Sequence, residues 1–97
     1  MIRIALHPLA RAELQEAVDY YENERRGLGA AFLLEVERTF LHVQEQPHAG
    51  VVVLGTIRRR IIQGFPYSLL YAIETKGIVV YAVANLRRRP FYWLERR

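Results

Sequence analysis

Tyr67-Ser68-Leu69-Leu70-Tyr71-Ala72-Ile73-Glu74, the turn Thr75-Lys76-Gly77 and Ile78-Val79-Val80-Tyr81-Ala82-Val83-Ala84 read as two β-strands of one hairpin. Alternation puts Tyr67, Leu69, Tyr71 and Ile73 on one face of the first strand, and Ser68, Leu70, Ala72 and Glu74 on the other. The second strand divides into Ile78, Val80, Ala82 and Ala84 against Val79, Tyr81 and Val83. Both of its faces are apolar, so both need cover. One layer has to come from helices elsewhere in the chain. The other has to come from the tail (Phe91, Tyr92, Trp93, Leu94) or from a partner protein.

Working outward, Ile57 to Gln63 reads as a further strand, with Arg58, Arg59 and Arg60 pointing to alternate faces. Phe65-Pro66 favours an extended entry into the hairpin. Val51 to Leu54 fits either a short strand or an irregular lead-in. At the other end, Ile2 to Leu6 is strand-like and stops at His7-Pro8, where proline suits the first turn of a helix. Apolar residues then recur at Ala10, Leu14, Ala17, Val18 and Tyr21, which is helical spacing. Glu13, Glu16, Asp19 and Glu22 line the opposite face and are expected to be solvated. Arg25-Arg26-Gly27-Leu28-Gly29 breaks this helix. A second helix carries Phe32, Leu33, Val36, Phe40 and Val43 as its apolar stripe and closes before Pro47. The short connection makes the pair an antiparallel hairpin. The expected architecture is α+β: an N-terminal strand, an antiparallel helical hairpin and a three-stranded antiparallel meander in one twisted sheet. Residues 1–97 form a single domain.

At 97 residues the chain can bury one core, with 52% hydrophobic and 25% charged residues. That composition is globular rather than disordered. With no cysteine, disulfide and thiolate chemistry are excluded, and a reducing, cytoplasmic setting is expected. No run reaches the roughly 20 apolar residues of a membrane span, and the N-terminus does not resemble a signal peptide. Charge is unevenly placed. Residues 10–46 hold eight acids against four arginines, while residues 56–97 hold nine bases against two acids. Thirteen of the fourteen basic residues are arginine, the side chain best suited to bidentate contacts with phosphate or carboxylate. A GC-rich genome would leave the same bias.

Arg58-Arg59-Arg60 and Arg87-Arg88-Arg89 flank the hairpin, and a meander would bring them together beside the aromatic tail. Such a basic, aromatic-edged surface suits an acidic partner. Charge on an edge strand that blocks sheet-to-sheet aggregation is the other reading of the first cluster. RNA cleavage without a metal requires a general base, a general acid and cations at the phosphate. His7, His42 and His48 all fall outside the basic region. Arg58, Arg60 and Arg88 could hold a phosphate, with Tyr92 as a weak acid. The histidines show no metal-ligand spacing, and no glycine-rich phosphate loop is present, so no cofactor or metal is expected.

The ordered set Asp19-Tyr20-Tyr21, Leu28-Gly29-Ala30-Ala31-Phe32, Pro47, Ile57-Arg58-Arg59, Phe65-Pro66-Tyr67 with Tyr71, and Arg88 with Pro90, Tyr92, Trp93 and Arg97 resembles the RelE/ParE toxins of bacterial toxin–antitoxin modules, most closely the ParE branch. The resemblance spans nearly the whole chain. It implies inhibition of DNA gyrase without enzymatic chemistry, and neutralisation by a cognate antitoxin. That antitoxin would be a small DNA-binding protein with an acidic C-terminal arm. The RelE branch would instead imply mRNA cleavage in the ribosomal A site, and a diverged, non-toxic binding module is a third reading. The target surface is expected at Arg58, Arg59, Arg60, Arg88, Arg89, Tyr92, Trp93 and Arg97, and the antitoxin surface at Arg58, Arg60, Tyr67 and Tyr71. No membrane and no sequence-specific nucleic-acid partner is expected. The chain departs from the ParE pattern at Asn85, where a histidine is usual, and at Arg89, where an acid is usual.

Overall fold

The computed structural model describes residues 2–97. Strand β1 (Ile4–Leu6) leads into helices α1 (Pro8–Glu24) and α2 (Leu28–Glu45), a 3-10 turn at Pro47–Ala49, and strands β2 (Val51–Leu54), β3 (Ile57–Ile61), β4 (Tyr67–Glu74) and β5 (Gly77–Asn85). A last 3-10 turn at Leu94–Arg96 ends the tail. The sheet order is β1-β5-β4-β3-β2, with β1 parallel to β5 and all other pairs antiparallel. The α+β architecture is as expected, with one extension. Val51–Leu54 pairs with β3, so the meander has four strands and the sheet five. No helix among the described residues is long and apolar enough to cross a membrane.

Local chemistry explains the helical hairpin. Pro8 opens α1, and Nδ1 of His7 accepts a hydrogen bond from the Leu9 amide at 3.1 Å. Glu22, expected in solvent, reaches instead to the start of α2, where its carboxylate accepts from the amides of Gly27 and Gly29 at 3.0–3.1 Å. A carboxylate there meets unsatisfied amides and the positive end of the helix dipole. Gly29, expected in the break between the helices, lies within α2, and a Cβ at this position would sit 2.6 Å from the carbonyl oxygen of Val18. Its absence lets the two helices close on each other. In α2 the buried positions are Gly29, Phe32, Val36, Thr39 and Val43. Leu33, expected in the stripe, is 37% exposed. Thr39 takes an inward place because its hydroxyl donates to the Glu35 carbonyl at 2.7 Å and leaves no orphan.

The hairpin covers one face of the sheet. There Leu69 and Tyr71 of β4 and Ile78, Val80 and Val83 of β5 pack with Phe32, Val36 and Val43. Tyr21, Phe32, Phe65 and Tyr67 extend this core as an aromatic cluster, with ring centroids 5.0 Å apart for Phe32–Phe65 and 5.1 Å for Phe32–Tyr67. The opposite face is made of Ile57, Leu70, Ala72, Ala82 and Ala84, and it is closed by Trp93 of the chain's own tail.

Strand β4 keeps strict alternation, but β5 does not. Leu70 pairs with Ala82 while Tyr71 pairs with Val80, leaving Tyr81 as an extra residue in β5. This bulge corrects the expected faces. Ile78, Val80 and Val83 face the helices, whereas Tyr81, Ala82 and Ala84 face the tail. One inserted residue exchanges the facing of everything after it.

Candidate functional site

Strand β1 ends opposite Val80, where the His7 amide donates to the Val80 carbonyl at 2.9 Å. Beyond that point β5 would be an open edge with unpaired backbone groups. Two side chains take the place of the missing strand. Glu13 accepts from the Val83 amide at 3.0 Å, and Arg96 donates to the Tyr81 carbonyl at 3.0 Å. The two are also joined as a fork, Nη1 to Oε1 and Nη2 to Oε2, both at 2.8 Å. Their side chains are only 11% and 10% exposed. The Tyr92 hydroxyl donates to Oε2 of Glu13 at 2.7 Å. Burial first, then the hydrogen bond to Glu13 and its charge, push the Tyr92 phenol far above its ordinary range. The hydrogen bond to Glu13 raises Arg96 as well. Glu13, read from sequence as part of a solvated helix face, is therefore the buried anchor of the tail.

On the tail-covered face lies a groove of about 410 Å³. Arg59 enters from β3, while Arg88, Arg89, Pro90 and Phe91 enter from the segment after β5, with Ser68, Leu70 and Ala84 among the strand residues of its lining. The two arginine clusters thus meet in part. Arg59 pairs with Leu70 and shares its tail-facing side, whereas Arg58 and Arg60 pair with Tyr71 and Leu69 and lie on the helix side. Arg88 stacks on Tyr92, its guanidinium carbon 3.9 Å from the ring centroid, and approaches Glu13 at 4.0 Å. Asn85 also lines the groove, and its side-chain oxygen accepts from the Arg87 amide at 2.8 Å.

Other residues expected at the surface have structural partners. Arg58 donates to the carbonyls of His48 and Gly50, both at 2.9 Å, and the Tyr71 hydroxyl donates to the Pro47 carbonyl at 2.7 Å. Together they hold the Pro47–Gly50 turn. Tyr71, expected at the antitoxin surface, has no exposed surface in the free chain and packs in the helix-side core. Trp93, 4% exposed, plugs the tail-covered face as the need for cover there implied, and it also contributes to the groove lining. Tyr67 is half-buried in the aromatic cluster. Arg97 donates to the Thr56 hydroxyl at 3.3 Å and ties the chain's end to the β2–β3 turn. Glu13, Arg96, Ser68 and Phe91 were not legible as site residues. The partners of Glu13 stand 70 or more positions away in sequence, beyond any spacing rule.

Comparison with known proteins bears on this geometry. Residues 4–90 match the family described as the ParE toxin of the type II toxin–antitoxin system parDE. No curated protein matches the chain. Its fold is similar to a solved structure of the chromosomal ParDE TA system from P. aeruginosa, with a TM-score of 0.76 and 15% identity over 88% of this chain and 96% of that one. At this identity the likeness speaks for the fold alone. The family match runs from β1 through both arginine clusters to the start of the tail, and the chain accordingly belongs to the ParE toxin family of type II toxin–antitoxin systems.

Proposed function

We propose that this chain inhibits DNA gyrase, meets it through the arginine groove, and is neutralised by a cognate antitoxin with an acidic C-terminal arm. The carrying observation is the family match over residues 4–90. Three arginines, Arg59, Arg88 and Arg89, share one groove, and none of its lining residues is acidic. A surface of that sign attracts an acidic arm and speeds encounter with it. Arg58 and Arg60, on the helix side, lie nearer the surface that the antitoxin would share with α1 and α2.

The groove's composition favours binding over RNA cleavage. It is lined by arginine, serine, asparagine, aromatic and aliphatic side chains, with no histidine. Tyr92, the tail tyrosine a nuclease would use as its acid, has its hydroxyl donating a hydrogen bond to Glu13 and its pKa pushed up, which makes it a poor acid near neutrality.

The test is pulsed induction without antitoxin, scored for DNA synthesis and for transcript cleavage, with purified chain assayed against gyrase supercoiling. The expected result is arrested replication, intact transcripts and inhibited supercoiling. Transcripts cut within codons would move the chain to ribosome-dependent cleavage. Normal growth with folded protein would identify a non-toxic binding module. Arg88→Ala, folded as the parent, should lose at least tenfold in inhibition, and full potency would remove the groove from the target surface.

A further inference from the structure

The groove holds more than its charge. Arg88 is its one arginine with a carboxylate nearby, and that carboxylate, Glu13, is already engaged by Arg96. Among the described residues Arg59 and Arg89 form no ion pair. Ser68 is 2% exposed and belongs to the groove lining, and its hydroxyl is the single buried side-chain polar atom without a hydrogen-bond partner among the described residues. An orphan hydroxyl of this kind costs stability and calls for an explanation. A rotation about χ1 is all that a serine needs to redirect its donor. With the Asn85 side-chain oxygen engaged by Arg87, its NH₂ group is left to donate.

The apolar wall is also unusual. Phe91 has a backbone φ of 60°, the only non-glycine residue with positive φ among those described, and the residue is 45% exposed and lines the groove together with Pro90 and Leu86. A bulky aromatic held in the left-handed region is strained, and its ring packs edge to face with Trp93, centroids 5.9 Å apart, at the groove's wall.

We propose that this groove binds a nucleoside phosphate, with the phosphate on Arg59, Arg89 and the Ser68 hydroxyl and the base along Pro90 and Phe91. Charge distinguishes this from a small ligand with a single carboxylate. A carboxylate carries one charge and is satisfied by one bidentate arginine. A phosphomonoester carries roughly −1.5 to −2 near neutrality and three strong acceptor oxygens. Two unpaired guanidiniums, a third shared one and an orphan hydroxyl match the phosphomonoester. The volume of about 410 Å³ lies within the about 300–1,000 Å³ of small-ligand sites. The inference rests on the groove alone, so gyrase inhibition can fail while it holds, and the reverse.

Titration calorimetry of the purified chain at low salt, with adenosine 5′-monophosphate, adenosine and inorganic phosphate, tests it. The monophosphate should bind at least tenfold more tightly than either fragment and weaken as salt is raised. Arg59→Gln and Ser68→Ala should each weaken it about tenfold, the loss expected for one hydrogen bond to a charged group. Ser68→Ala should leave the thermal midpoint unchanged or raised, whereas a structural serine would lower it. A 5′-phosphorylated tetranucleotide run in parallel tells a free nucleotide from a strand end as the better source, and tight binding of either supports the site. Adenosine or phosphate alone binding as well as the monophosphate would overturn the proposal. So would affinity unmoved by both substitutions, or no binding at millimolar ligand.

Discussion

The two faces of the sheet are closed by different means. On the helix side, large residues meet large residues: Leu69, Tyr71, Ile78, Val80 and Val83 against Phe32, Val36 and Val43. On the tail side, the sheet offers Ile57 and Leu70 but also three alanines, Ala72, Ala82 and Ala84, and one tryptophan closes over them. Small residues let a short tail lie close to the sheet, but they bury little apolar area. The helix side is held by the hydrophobic effect acting over an extended interface. The tail side is held at its edge by a buried polar clasp, Glu13 with Arg96 and Tyr92. The groove with its arginines lies on the weakly covered side. Elements with little apolar burial open at lower free energy than the global transition, so the tail is where the molecule can yield without unfolding.

The largest effect should come from Phe32→Ala on the helix side. It removes the centre of the aromatic cluster and should cost about 4 kcal/mol in denaturant unfolding. A loss under about 1 kcal/mol would show that the helix face is not the dominant core. Next comes Glu13→Gln. It leaves Arg96 buried without its counter-charge and should cost about 3 kcal/mol. The signature is local as well as global: the amides of Leu94 and Arg96 should exchange faster, while those of α2 change less. Uniform loss of protection would mean that the two faces do not open separately.

Tyr92→Phe keeps the ring under Arg88 and removes only the hydroxyl, at about 1.5 kcal/mol. It also gives the comparison a pH axis. The folded phenol is raised above its ordinary value of 10.0, so the unfolded chain loses this proton first. The associated stability is complete below pH 10 and falls as pH rises towards the folded value. Alkaline unfolding should therefore be less steep in Tyr92→Phe. Some slope remains, because burial raises Tyr81 and Tyr21 too. An unchanged slope would break the assignment. The smallest effect is that of Ser68→Ala, which removes an orphan donor and should change stability by no more than about 1 kcal/mol, in the stabilising direction.

Much of this architecture could be read along the chain, because local periodicity carries it. Ala10, Ala17, Phe32, Val36 and Val43 lie at helical spacing and are buried, and β4 alternates as its sequence does. The two apolar faces of β5 correctly required cover on both sides. The bulge at Tyr81 escaped notice because an apolar strand reads the same in either register, and pairing with β4 alone selects one. The site was less legible. Arginine clusters are visible as composition, but which arginine faces which side follows from pairing: Arg59 with Leu70, Arg58 with Tyr71. Arg58, expected at a contact surface, also holds a turn through two backbone carbonyls, and Tyr71, whose alternating strand position fits sheet-face packing, is buried.

By itself the sequence determined the elements, their order, the need for two layers and the basic character of the C-terminal half, since these depend on residue type and near-neighbour spacing. The tertiary structure alone decided that Glu13 joins Arg96 across 83 positions, that the open edge of β5 is capped by side chains, and that Ser68 is left without a partner. Those outcomes depend on which distant groups the fold brings within about 3 Å of one another, the range of a hydrogen bond, and no local pattern encodes that distance.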